Sequence, residues 1–190
     1  MLQEIIDFNT TAASFDDGLS LWGACHSRVE RVVSMLERLT EHVGDHGVDE
    51  GAQSTAALLL TYFNEAAPRH HEDEERDIFP LLLAQLDAKP DTLGAADVRW
   101  AVTQLRRDHQ DLDRMWIALR PHLEAIRDGR LSVPAPELVL LFIGRYRHHC
   151  GLEATVVHER MQGIVQPADA QAMAASILRR RGIDPATAPG

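Results

Sequence analysis

Residues 70–80 read HHEDEERDIFP, two histidines and five acidic residues running into Ile78, Phe79 and Pro80. Placed on a helix, His70, Glu74 and Ile78 share one face, because side chains four apart stack one turn above another. That face continues backwards through Ala67, Phe63, Leu59 and Ala56 and forwards to Leu81, so the polar residues lie on an otherwise apolar stripe. Two explanations are open: a solvated charge run, or a polar layer buried for a ligand. The rest of the chain decides between them.

Working outward, the stripe predicts a helix over about 52–86, with Pro68 and Pro80 as points of kinking because proline removes a backbone donor and crowds the preceding turn. Three more helices follow from the same test. The first spans about 19–43 with Leu19, Trp22, His26, Val29, Val33, Leu36 and Val43 at steps of three and four, interrupted only at Thr40. The third spans about 95–127 with Val98, Val102, Leu105, His109, Leu112, Trp116, Leu119 and Leu123. The fourth spans about 135–162 with Leu138, Phe142, His149, Glu153, Val156 and Arg160. Asp16 or Asp17 is placed to cap the first. A short fifth helix over 168–181 follows Pro167, with Asp169 as its cap and Gly182 as its stop. The expectation is all-α: an up-down-up-down four-helix bundle over 19–162, an N-terminal extension over 1–18, and a C-terminal helix and tail over 163–190.

Size and charge narrow the partners. The chain has 190 residues and a formal charge of −10, from 29 acidic against 19 basic residues, which repels phosphate backbones and anionic membranes. Two cysteines, Cys25 and Cys150, are too few for a disulfide framework, and no apolar run approaches the roughly 20 residues of a membrane span. A cytoplasmic protein that binds neither nucleic acid nor membrane is expected. Ten histidines are the unusual feature.

Helix rise shows whether the polar residues meet. His26 lies about 17 residues back from the end of the first helix and His70 about 18 into the second, so both sit roughly 26 Å from the first loop. The same measurement matches His70 and Glu74 with His109, and His109 with His149 and Glu153. Two buried carboxylates surrounded only by neutral imidazoles would cost several kcal/mol per ion, and a bound cation compensates them. The pairs His70/Glu74 and His149/Glu153 have the spacing at which both donors reach one metal. His26, His70, Glu74, His109, His149 and Glu153 are therefore the expected metal ligands. His71 and His148 fall outside this set as supporting or surface groups, and Glu72, Asp73 and Glu75 read as a solvated face. Cys25 and Cys150 read as small buried hydrophobes, and Tyr146, one turn before His149, as a possible proton donor.

This constellation resembles the hemerythrin-like (HHE cation-binding) family. The carrying residues are His26 in CHSRVERVVSML, His70 and Glu74 in HHEDEERDIFP, His109 in RRDHQDLDRMW, and His149 and Glu153 in HHCGLE. The resemblance implies two iron ions bridged by Glu74 and Glu153, capped by the histidines, with a bridging oxo or hydroxo group. It also implies a small ligand such as O2, NO or peroxide, bound or sensed at an open iron position; a di-iron enzyme and an iron-handling protein are the alternatives. Oxygen-carrying members have five histidines, two of them one turn apart on the third helix. Here the residue four after His109 is Asp113, which leaves four histidines and points away from simple oxygen carriage.

Overall fold

The structure, a computed structural model, describes residues 18–89 and 93–184, except the side chains of 18–27 and of residue 162. The described residues form four antiparallel rods and a crossing C-terminal helix. The first rod is α1 (Gly18–His46). The second is continuous but not uniform: α2 (Glu50–Thr61), a π-helical turn π1 (Tyr62–Ala66), α3 (Ala67–Asp73), π2 (Glu74–Ile78) and α4 (Phe79–Ala88). The third is α5 (Ala95–Arg127). The fourth joins α6 (Pro136–Leu152), π3 (Glu153–His158) and α7 (Glu159–Ile164), and α8 (Pro167–Arg180) follows. Each rod packs on the next and the fourth closes against the first, as short connections between antiparallel helices require. No described helix is long and apolar enough to cross a membrane.

The ends of the helices follow local chemistry. The first connection is shorter than expected, because α1 runs on to His46 and Gly47 turns the chain at φ 81°. Asp49 then caps α2 by accepting from the Ala52 amide at 2.7 Å. At α8 the cap is Gln166. Pro167 opens the helix, and Asp169, expected as the cap, sits at its third position and reaches back to the Gln166 amide. Asp16 and Asp17 lie outside the described residues.

The π turns change which residues face inward. A turn closed by an i→i+5 bond holds one residue more than an α turn, so the buried stripe slips by one position as it passes. On the second rod Tyr62 joins Phe63 in the core, His71 joins His70, and Leu82 and Leu86 are buried where a strict period puts Leu81. On the fourth, Val157 and Met161 are buried in place of Val156 and Arg160. Pro68 and Pro80 sit in the first turn of the α segments that follow π1 and π2. There the altered hydrogen bonding absorbs the missing donor, and the rod continues where a kink was expected.

Two apolar clusters result. The upper one contains Val33, Leu36, Leu59, Phe63, Leu112, Trp116, Leu119, Phe142 and Tyr146; the lower contains Ile78, Phe79, Leu82, Leu105, Val157, Met161, Met173 and Ile177. On each of the last three rods the residues between the clusters are polar: His70, His71 and Glu74; Asp108 and His109; His149 and Glu153. The gap is one layer across the bundle. The C-terminal helix is part of the core, since Met173, Ala174, Ile177 and Leu178 are all buried.

Candidate metal centre

Five of the six expected ligands are described, and all five are buried in this layer: His70 and His109 almost fully, His149 at 1%, Glu74 and Glu153 at 0%. His26 lies on α1, and its side chain is outside the described residues. The layer contains two groups in which one ligand atom per residue lies within 4.8 Å of the others: His70, Glu74 and Glu153, and His71, His109 and His149.

Glu74 touches both groups. Its Oε1 is 3.0 Å from His70 Nε2, and its Oε2 is 3.1 Å from His109 Nε2. Glu153, in the first group, lies 3.4 Å from His149 Nε2 of the second. Burial alone would push the Glu74 carboxyl up, but the imidazoles of His70 and His109 outweigh it and hold the group well below the usual carboxylate range. Burial also opposes charge on His109, yet hydrogen bonds to Glu74 and Glu75 raise it above the ordinary imidazole value. Glu74 is thus a carboxylate that stays charged within the layer.

His71, read from the sequence as a supporting or surface group, lies inside the layer. It is buried, its ring stacks on His109 at 4.1 Å and 13°, and its Nε2 has no hydrogen-bond partner. Burial pushes its pKa well below the ordinary imidazole value, with the neighbouring His109 adding to the shift, so the ring is neutral, and in the tautomer with its hydrogen on Nδ1 the Nε2 lone pair is available. An unsatisfied buried acceptor costs about 1–3 kcal/mol, and a cation is the partner that such an atom lacks. His148, by contrast, is exposed. The slip at π1 is what brings His71 inward, and the feature that argued against its stripe, Asn64, is accounted for: Asn64 Oδ1 accepts from Trp116 Nε1 at 2.9 Å.

The expected solvated face is only partly solvated. Asp73 is 2% exposed and holds the C-terminal helix, accepting from Arg180 Nε at 2.9 Å and Arg181 Nη2 at 2.5 Å, while Arg180 also pairs with Asp77. Replacing Asp73 with alanine leaves two largely buried guanidiniums short of a counter-charge, and a loss of about 3 kcal/mol is expected in urea unfolding. Unchanged stability would show that this clamp contributes nothing. Glu75 is half-buried and pairs with Arg106 and His109.

The surroundings are dry above and open to one side. Above the layer Phe63 packs edge-on against Phe142 and tilted against Tyr146, and the Tyr146 ring lies roughly parallel to that of His71. Tyr146 is 4% exposed with its ring centroid 6.2 Å from that of His71, and burial raises its hydroxyl well above the ordinary value, so it keeps its proton. Burial likewise pushes the Cys150 thiol up to about 12, which makes it an inert packing group; Cys25 is outside the described side chains. A cavity of about 340 Å³ has His71 and His109 in its wall and Glu72, Arg76, Arg106 and Asp113 around them.

A four-rod bundle with two adjoining groups of imidazoles and carboxylates in a gap between apolar clusters is a metal-binding helical bundle. Residues 17–161 match the family described as the hemerythrin HHE cation binding domain, and the chain belongs to that family. An uncharacterized protein of Haemophilus influenzae is 30% identical over 141 residues, which cover 74% of this chain and 77% of its own length. The matched span stops at Met161, before α8, the helix that completes the lower cluster.

Proposed function

We propose that the protein holds two irons in this layer and binds or senses a small ligand, O2, NO or peroxide, at one of them. His70, Glu74 and Glu153, with His26 from α1, would hold one ion; His71, His109 and His149 would hold the other, with both carboxylates shared. The observation that carries this reading is Glu74, whose two oxygens lie against imidazoles of different groups at 3.0 and 3.1 Å. His71 supplies an imidazole where the third helix, with Asp113 after His109, provides one fewer than the five-histidine pattern.

When bound, an iron pair supplies electrons that can be shared with or passed to a small ligand. The chain's own residues set the conditions for it. The ring layer of Phe63, Phe142 and Tyr146 excludes water from above, and the cavity beside His71 and His109 gives a small molecule access. Tyr146 retains a proton near the layer, which is what favours the second reading, an enzyme that reduces peroxide or activates oxygen. The acidic surface suits a protein of the cytoplasm with neither nucleic acid nor membrane as partner.

Anaerobic ferrous protein titrated with NO, O2 and hydrogen peroxide separates these readings. A saturable, reversible change in the absorption spectrum supports binding or sensing, and multiple turnovers of peroxide in the presence of a reductant support catalysis. No change with any of the three ligands would leave iron handling alone. The ligand assignment has its own test. His71→Ala is expected to lose iron as severely as His109→Ala, while His148→Ala retains it; equal retention by His71→Ala and His148→Ala would return His71 to a supporting role.

A further inference from the structure

A three-part chain stands behind His109 of the second group, and a looser counterpart stands behind His149. His109 Nδ1 lies 2.9 Å from Glu75 Oε1, and the other Glu75 oxygen accepts from Arg106 Nε at 2.9 Å. His149 Nδ1 lies 3.9 Å from Asp108 Oδ2, and the other Asp108 oxygen accepts from Arg145 Nη1 at 2.9 Å. Arg145 also approaches Asp111 at 3.6 Å. In both chains the opposite ring nitrogen, Nε2, faces a buried carboxylate of the layer: Glu74 for His109, Glu153 for His149.

The geometry dictates the tautomer. A carboxylate only accepts hydrogen bonds, so when a cation takes the place of the Nε2 hydrogen, a ring whose Nδ1 faces a carboxylate keeps its remaining hydrogen there and presents the Nε2 lone pair to the ion. The arginine behind each carboxylate fixes its direction. At His149 the approach of 3.9 Å is too long for a hydrogen bond. Asp108 is 3% exposed, and its Oδ2 has no hydrogen-bond partner, so an acceptor stands ready for the Nδ1 hydrogen of a ring that moves slightly inward.

We propose that Glu75 and Asp108 are positioning residues: each fixes the tautomer and orientation of one imidazole, His109 or His149, and strengthens it as a donor to the second ion. Neither would touch metal. The proposal rests on the metal reading above, and it assigns to Glu75 and Asp108, outside the expected ligand set, a share of the affinity comparable with other carboxylate–histidine–metal chains.

The test compares wild type, Glu75→Gln and Asp108→Asn, which keep shape and remove charge. Ferrous iron affinity is measured by competition with a chelator, and metal-free stability by urea unfolding. Wild type is expected to bind two irons, and each variant to bind its second iron about 10–100-fold more weakly while its metal-free unfolding midpoint stays close to wild type. A separate readout follows the tautomer: in zinc-loaded protein, the Nδ1 proton resonance of His109 lies downfield, and it moves upfield in Glu75→Gln. Wild type that binds two irons with variants that match its affinity and ring resonances overturns this proposal and leaves the metal reading standing. Wild type that binds no iron overturns both. If Asp108→Asn fails to fold, Glu75→Gln, at a half-exposed position, decides the matter alone.

Discussion

Glu74→Ala is expected to leave the protein with essentially no iron. The carboxylate is fully buried and its two oxygens pair with imidazoles of both groups, so on the proposed two-iron reading its loss would remove a ligand from each ion and the link between them. An affinity loss of at least ~100-fold is expected, beyond the 10–100-fold of a group that only supports a ligand. Iron content after reconstitution checks it, with Glu72→Ala as the control on the same rod. If Glu74→Ala kept both irons, the layer would not be organised as described.

Iron loading is expected to raise the melting temperature by about 10 °C. Free iron at 1,000 times its dissociation constant adds about 4.1 kcal/mol to the folded state, and each kcal/mol is worth roughly 2–4 °C for a domain of this size. The metal-free bundle is expected to fold, because apolar clusters lie on both sides of the layer. Without metal, the two shifted histidines respond to pH in opposite ways. His71 is depressed in the folded state, so the unfolded chain binds more protons and stability is lost as pH falls below about 6.5. His109 is raised, so its contribution is present below about 6.5 and lost as pH rises through its folded value. Glu74 is depressed, so its contribution is present above about 4.5 and lost as pH falls from there through its folded value. The metal-free protein should therefore show a shallow dependence near neutrality, and the iron-loaded protein a steep loss on acidification, because protons compete for the imidazoles. Scanning calorimetry from pH 5 to 8 on both forms measures this, and coincident melting of the two forms at neutral pH would contradict a metal site.

The parts of this architecture that depend on period and depth were legible in the sequence. All eight stripe residues of α5, from Val98 to Leu123, are buried. His70, Glu74, His109, His149 and Glu153 meet in one layer because helix rise is nearly constant. What a constant period cannot show is a turn with an extra residue. The slips at π1, π2 and π3 bury His71, Phe79 and Val157 together with neighbours that a strict stripe would separate from them. Pro68 and Pro80, inside an otherwise unbroken apolar pattern, were the available sign for the first two; π3 carries no such mark. Asp73 was missed for another reason. Its partners, Arg180 and Arg181, lie more than a hundred residues away along the chain, and a carboxylate in a charge run looks solvated until its counter-charges are placed.

On the proposed reading, two ions share one layer through Glu74 and Glu153. Anomalous diffraction at the iron absorption edge, from crystals of protein reconstituted with ferrous iron, tests it most directly. Two peaks are predicted in each chain, one beside His70, Glu74 and Glu153 and one beside His71, His109 and His149. A single peak, or iron bound only at the surface, would contradict the account.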